Sequence, residues 1–546
     1  MSGADGAEVV ALLRRAWVAL QQKQPAPARA DCEAALQRAP HSFDAWRLYA
    51  VALQAQGDAA GCRAALERAL ALRPDDGATA FDLGTVQLQS GDAAAAIATL
   101  RLAMQRLPQE PRAAFRYGTA AFQRGEFAQA VEGFRAATQR DPAWMQAWNN
   151  LAAAHGRLQD YPPAIAAARQ ALRLGPDQAV AHQALAALLS NLFDRESLQE
   201  GLRCARRALE IDPDLAEAHR NAAILSRKLG DAASAQAHAR RAVQLAPHDI
   251  DTVDTLGEQL LLGGKADEAV AVYANALQAG VESPVLRRQH GIALLQDDRP
   301  GDARDALADA LARAPDDQRA IAHLGVARAA QGDAEGAAHW LGLHRHVHAV
   351  ELPVPEGFAD ARAFHAALAD DIRRHSRQRW EPAGLAARNA YLSGDLLADR
   401  TPAIVGFEQR LREAIDGFLA RCRAGDAGDD AFLRNVPRGA YRMHVWATQA
   451  AESGFIDTHI HEDSWLSGAY YVELPDAIRD DDATHAGWIE FGRPFANLPQ
   501  PPEAALRRVR PQTGTLLLFP SYLFHRTLPY AGAGERISIS FDLAAA

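Results

Sequence analysis

Cysteine is scarce: Cys32, Cys62, Cys204 and Cys422 are the only four in 546 residues, and they form no CxxC pair. That excludes a disulfide framework and a cysteine-held zinc site, and leaves four small buried hydrophobes in a reducing compartment. Runs of about 18 apolar residues are also missing, so no segment is expected to span a membrane. Positive charge is not in excess either: 58 Lys and Arg stand against 68 Asp and Glu, a formal net charge of −10. A nucleic-acid binder needs a basic face to displace counterions, so that class is set aside. The N-terminal MSGADGAEVVALLRRAW has no basic segment ahead of an apolar core and does not read as a signal peptide. The expectation is a soluble, cytoplasmic protein with neither nucleic acid nor membrane as partner.

The sequence is rich in periodicity. Pro40, Pro74, Pro108, Pro142 and Pro176 follow one another at intervals of 34 residues, and Pro213, Pro247 and Pro315 continue the series with one insertion. A second marker keeps the same register: Gly57, Gly91, Gly125, Gln159, Gly230, Gly264, Asp298 and Gly332, usually followed by Asp or Glu. Between markers the apolar residues have helical spacing. Trp148, Leu151, Ala152 and His155 share one face, the turn Gln159-Asp160-Tyr161 follows, and Ala164, Ala168 and Ala171 line a second helix. Each unit is a helix hairpin that cannot bury its apolar face alone, so the units must stack.

This pattern resembles the tetratricopeptide repeat, over about residues 9–350 and about ten units. The stretch SNLFDRES, 190–197, holds a three-residue insertion that should only lengthen a turn. The resemblance implies an α-solenoid whose concave groove recruits a protein or peptide. The residues one position before the large helix-A residue form a mixed polar row: Leu48, Asp82, Arg116, Asn150, Ala184, Asn221, Thr255, Gln289 and His323. Of these, Arg116, Asn150 and Asn221 are the candidate groove residues.

The repeat pattern stops after Leu343. The segment HRHVHAVELPVPEGFAD carries two prolines and a glycine and reads as a hydrated connector, its three alternating histidines included. Helices are expected at about 358–376 and 402–423. From about Ala440 the sequence changes to short aromatic and β-branched runs: YRMHVWAT, WLSGAYYVEL, GWIEFG, GTLLLFP and RISISFDL. The expected organisation is a repeat array over 1–350, then an α+β domain over 351–546. That domain has a helical lead-in at 351–435 and a double-stranded β-helix (jelly-roll) core at 436–546.

Three elements of that core carry chemistry. THIHEDSWLSGAYYVELP holds His459, His461 and Asp463, FPSYLFHRTLP holds His525, and ERISISFDL holds Arg536. Two histidines and a carboxylate around Fe(II) leave three coordination positions for a chelating acid and O2. Strand alternation requires the adjacent pair at i and i+2, with the third ligand from a remote strand. On the last strand Arg536, Ser538 and Ser540 point one way and Ile537, Ile539 and Phe541 the other. A guanidinium in a dry cavity is costly unless paired, and a carboxylate held in bidentate fashion resolves that cost.

These stretches resemble the 2-oxoglutarate/Fe(II)-dependent oxygenases, over about residues 400–546. The resemblance implies Fe(II), 2-oxoglutarate and O2, with His525 as the distal iron ligand and Arg536 and Ser538 holding the distal carboxylate of 2-oxoglutarate. For the first pair two sets stay open. His461 with Asp463 is preferred, because a carboxylate lowers the charge of the site. His459 with His461 is the alternate and would give an all-histidine set. Trp446 and His444 could border the pocket, and one of Tyr470 and Tyr471 should face it. The implied function is a dioxygenase hydroxylating a protein or peptide brought by the repeats. The alternative is a non-catalytic repeat scaffold with an idle oxygenase-like domain.

Overall fold

A computed structural model describes residues 3–192, 194–375, 386–428 and 430–545. Up to Trp340 the described residues form twenty helices, from Gly3–Gln21 to Ala334–Trp340, arranged as about ten antiparallel pairs. The second sequence marker is the residue that turns the chain between the two helices of a pair. Gly57, Gly91, Gly125, Gly230, Gly264 and Gly332 all have φ between 71° and 93°, and Gln159 and Asp298 take the same left-handed conformation at 58° and 55°. Glycine is favoured there because it alone has no Cβ to clash. The acid that follows caps the next helix: Asp58 accepts from the Gly61 N–H and Asp92 from the Ala95 N–H.

The proline marker is tied down by a different device. Trp46, Trp148, His182 and His219 each place a ring nitrogen 2.8–3.1 Å from the carbonyl six residues earlier, at Pro40, Pro142, Pro176 and Pro213. A donor on the first turn of a helix thus closes the loop that leads into it. The alanine-rich interfaces are sealed (Ala65, Ala69, Ala80 and Ala103 are all buried), so helices approach closely.

By packing, the chain divides into Met1–Leu225 and Ser226–Ala546. The change of composition near residue 350 falls inside the second unit. Among the described residues after the last repeats come two long helices, Ala361–His375 and Pro402–Ala424, a short one, Ala431–Arg434, and nine strands. The first helix was expected to run to residue 376, which lies outside the described residues. The strands are β1 (His348–Glu351), β2 (Ala387–Leu392), β3 (Tyr441–Ile456), β4 (Leu466–Glu473), β5 (Ile489–Phe491), β6 (Arg507–Val509), β7 (Thr515–Pro520), β8 (His525–Thr527) and β9 (Arg536–Ala545). They form a six-stranded sheet, β1-β7-β4-β9-β3-β2, and a three-stranded sheet, β6-β5-β8. Every pairing is antiparallel. This is a mixed α+β domain with a curled sheet. The expected double-stranded β-helix (jelly-roll) core is met only in part: a curled six-stranded sheet and a three-stranded one do not close into a double jelly roll.

The connector is not the hydrated linker that its prolines suggested. His348–Glu351 pairs with β7, and His346 is buried with its Nε2 2.6 Å from Asp430 Oδ2 and its ring on Phe432. Two elements extend the sequence reading: β3 runs on to Ile456, and β2, which carried no strong pattern, pairs with it.

Within the second unit the last repeat packs directly on the turn between β7 and β8. Every residue from Ala320 to Ala327 is buried, leaving this stretch of helix no exposed face. His323 is covered by Phe524, ring centroids 5.3 Å apart, and burial pushes its imidazole down to about 3. Tyr522 donates its hydroxyl to the Leu341 carbonyl (3.0 Å), Asn435 its amide to the Pro315 carbonyl (2.8 Å), and Arg319 meets Glu462 at 3.5 Å. The turn Ser521–Phe524 therefore sits between the repeats and the strand that begins at His525. Phe524→Ala should lower the stability of this unit by about 3–5 kcal/mol, the usual cost of emptying a buried phenylalanine site, measured by denaturant unfolding.

Two of the three candidate groove residues, Arg116 and Asn150, are half-buried on their helices. Asn221 is not in an open groove: it is buried, and its amide donates to the Gln183 carbonyl at 3.3 Å. Thr255, Gln289 and His323 of the same row are buried as well, with Gln289 donating to Asp254 (2.7 Å). Helix periodicity places these positions on one face, but it does not reveal which neighbour covers that face.

Candidate metal centre

Three imidazoles converge between the sheets. One ligand atom from each of His459, His461 and His525 lies within 4.8 Å of the others. Backbone pairing brings them together. His459 and His525 exchange both N–H···O bonds, at 3.1 and 3.0 Å, and the His461 N–H donates to the Ser521 carbonyl at 3.0 Å. Alternation then puts the i and i+2 rings on the face that carries His525.

Asp463, the preferred carboxylate of the sequence reading, is not in this group. It is exposed in the turn that begins at Glu462. Alternation holds only while the chain is extended, and here extension ends at His461, so the i+2 rule selects His459 and not Asp463. Among the described residues no carboxylate joins the three histidines.

Each ring is fixed by its Nδ1. His459 donates to the Asp457 carbonyl (2.8 Å), His525 to the Leu523 carbonyl (2.9 Å) and His461 to Asp542 Oδ2 (2.7 Å). Carbonyls and carboxylates only accept, so Nδ1 carries the proton and Nε2 keeps its lone pair. Burial, with His461 alongside, lowers the His459 imidazole to about 4. Burial and the two neighbouring histidines hold His525 well below its ordinary range. Rings fixed through Nδ1, with Nε2 turned to a common point, are what a divalent transition metal requires, and the donor set fits such an ion.

The rings border a cavity of about 360 Å³, in the range of roughly 300–1,000 Å³ usual for small-molecule sites. Across it stand Arg536, Ser538, Tyr471 and Thr527. Arg536 and Ser538 are buried on the cavity face of β9, as alternation suggested. Ile537, Ile539 and Phe541 are buried as well, on the other face of the strand. Both faces of β9 are therefore buried over Arg536–Ile539. Among the described residues Arg536 has a single hydrogen-bond partner, the neutral Thr527 Oγ1, at 2.9 Å, and its guanidinium lies 5.7 Å from the Tyr471 ring. Burial lowers its pKa, and among the described residues no carboxylate pairs with it.

The two tyrosines separate clearly. Tyr471 lines the cavity with its hydroxyl buried and without a hydrogen-bond partner among the described residues, whereas Tyr470 shares a hydrogen bond with His365 Nε2 (2.7 Å) beneath the helices. Trp446 borders the cavity and stacks on His461, centroids 5.9 Å apart and planes at 24°, while His444 is exposed. Next to the cavity lies a more polar one of about 500 Å³ that shares His459, Ile460 and Arg526 and adds Arg388, Asp457 and Glu462.

Asp542 carried no signal in the sequence. Its contact with His461 spans 81 residues, and only the pairing of β9 with β4 brings the two together. The alternation Arg536, Ser538, Ser540 does extend to it, and that was the one available hint.

The comparisons agree with this organisation. Residues 444–542 match a family model described as "Putative 2OG-Fe(II) oxygenase", and residues 19–85, 87–154 and 288–341 match tetratricopeptide-repeat models. The chain thus carries N-terminal tetratricopeptide repeats and a C-terminal oxygenase-type domain with a three-histidine cluster of metal-binding type. No curated protein matches the chain. Among solved structures, a thermophilic tetratricopeptide-repeat protein of Thermus thermophilus is 25% identical, covering 34% of this chain and 100% of its own, with a TM-score of 0.31. A tetratricopeptide-repeat protein from Parabacteroides merdae is 16% identical over 46% of this chain and 98% of its own (TM-score 0.37). MamA from Desulfovibrio magneticus is 18% identical over 32% and 98% (TM-score 0.30). Tetratricopeptide repeats as a class bind proteins and peptides. Among the described residues no helix is long and apolar enough to cross a membrane.

Proposed function

We propose that this chain is an Fe(II)- and 2-oxoglutarate-dependent oxygenase acting on a protein or peptide brought by its repeats, with the two sheets serving as the walls of a double-stranded β-helix site. One observation carries the reading: a buried guanidinium, Arg536, has no anion to pair with among the described residues and shares a cavity with three histidines whose Nε2 lone pairs converge. An uncompensated buried cation costs several kcal/mol, so a binding carboxylate recovers that cost. His459, His461 and His525 would hold the metal. Arg536 and Ser538 would take the distal carboxylate of 2-oxoglutarate, with the Tyr471 hydroxyl facing the same cavity.

Bound there, Fe(II) with 2-oxoglutarate and O2 would supply the oxidation that yields succinate and CO2 and places one oxygen atom on the substrate. The chain's own share is positional. The acceptors at each Nδ1 hold the rings in one tautomer, Trp446 screens His461 from water, and the two buried faces of β9 keep the cavity dry. The neighbouring polar cavity at His459 gives a large substrate its approach. The domain limits, repeats over 1–350 and oxygenase over 351–546, belong to this same proposal.

A second reading is favoured by the ligand set: among the described residues no carboxylate joins the three histidines as a ligand, and on this reading the domain is idle and the chain is a repeat scaffold. The two part on one assay. The oxygenase converts 2-oxoglutarate to succinate when O2 is admitted to the Fe(II)-loaded full chain, even without a substrate. The scaffold produces no succinate above a metal-free control.

A further inference from the structure

Asp542 stands directly behind one of the three histidines. It ends the run Arg536, Ser538, Ser540, Asp542 on the cavity face of β9, and its Oδ2 lies 2.7 Å from His461 Nδ1. Its other oxygen accepts from the Ser467 hydroxyl at 2.6 Å, and Ser467 Oγ is 2.8 Å from Ser521 Oγ. Ser521 in turn accepts the His461 backbone N–H. His461 is therefore gripped at ring and backbone by a closed set of groups from β4, β9 and the turn before β8. Ser467 and Ser521 are both buried. Among the described residues Asp542 pairs with no arginine or lysine, only with His461.

The other two rings differ in one respect. His459 and His525 donate Nδ1–H to neutral carbonyls, and only His461 donates to a carboxylate. A carboxylate at Nδ1–H draws that proton toward itself and makes Nε2 a stronger donor. Three neutral imidazoles leave a divalent ion with its full double charge, and one carboxylate within a hydrogen bond of a ligand reduces the local sum to a single positive charge. Two histidines and a carboxylate give the same sum.

We propose that Asp542 is a positioning residue that supplies, through His461, the negative charge that no carboxylate supplies within the ligand set. This rests on the metal reading above. Asp463, two residues along the chain from His461, has no part in it.

The test is anaerobic titration of the metal-free full chain with Co(II), followed by the visible d–d spectrum and by competition with a chelator. Asp542→Asn keeps the shape and a hydrogen-bond acceptor for Nδ1–H but removes the charge. It should weaken Co(II) binding on the order of 10- to 100-fold and shift the d–d bands. Asp542→Glu should recover part of the loss, and Asp463→Asn should bind as wild type does. Metal-free melting curves report whether each variant folds. Should Asp542→Asn not fold, Ser467→Ala decides the matter, because it frees the carboxylate from its orienting bond and should weaken binding several-fold. Wild-type affinity and spectrum in Asp542→Asn, or in Ser467→Ala if that variant has to serve, would overturn the proposal. If the wild-type chain binds no Co(II), the metal reading fails first and this inference falls with it.

Discussion

His459→Ala should abolish tight Fe(II) binding, while Asp463→Ala leaves it within a factor of about two. The first substitution removes one of three converging nitrogens, and the loss should exceed the roughly 100-fold that an outer partner of a ligand can cost. The second removes an exposed turn carboxylate that does not join the cluster. An ordinary two-histidine, one-carboxylate site using His461, Asp463 and His525 would show the reverse ranking. Equilibrium titration of the three proteins, wild type included, separates the alternatives, and no substrate is needed.

Arg536→Met is the second large effect, and it has two opposite signs. With 2-oxoglutarate present, the variant loses a buried cation of the cavity that, among the described residues, has no carboxylate partner and can take one. Breaking a buried pair in this way costs about 3–5 kcal/mol, which is about 100- to 1,000-fold or more in affinity. Without 2-oxoglutarate the sign inverts. The wild-type guanidinium is buried with one neutral partner, so an apolar chain of similar length should make the ligand-free protein more stable by about 1 kcal/mol or more. Melting curves with and without 2-oxoglutarate should therefore cross between wild type and variant. A purely structural arginine would destabilise in both conditions when removed.

The repeats were legible in the sequence because their signal is local. A left-handed turn every 34 residues demands glycine or a tolerant substitute, and that demand was visible even where Gln159 and Asp298 replace it. Alternation in β9 was legible for the same reason, and it set Arg536 and Ser538 on one face together. Alternation failed at Asp463 because it says nothing about where extension stops, and the chain turns immediately after His461. It also could not choose between Tyr470 and Tyr471, since both are buried and only the cavity distinguishes them.

Long-range contacts were not legible. The His346–Asp430 pair spans 84 residues and turned a connector rich in proline and histidine into part of the core. The Tyr522–Leu341 bond spans 181 and joins the last repeat to the turn that leads to His525. The row of groove positions changed character for this reason. At His323 the polar face that was expected to meet a partner meets Phe524 of the same chain.

In the proposed site three histidines and Arg536 together hold a metal and a 2-oxoacid. This is tested most directly by adding 2-oxoglutarate to the Fe(II)-loaded full chain under anaerobic conditions and recording the visible absorption. A bidentate 2-oxoacid on Fe(II) gives a charge-transfer band. That band is expected in wild type and in Asp463→Ala, and is expected to be lost in His459→Ala and, at the same 2-oxoglutarate concentration, in Arg536→Met. A wild-type chain that binds Fe(II) but forms no band, or a band that survives His459→Ala unchanged, would contradict it.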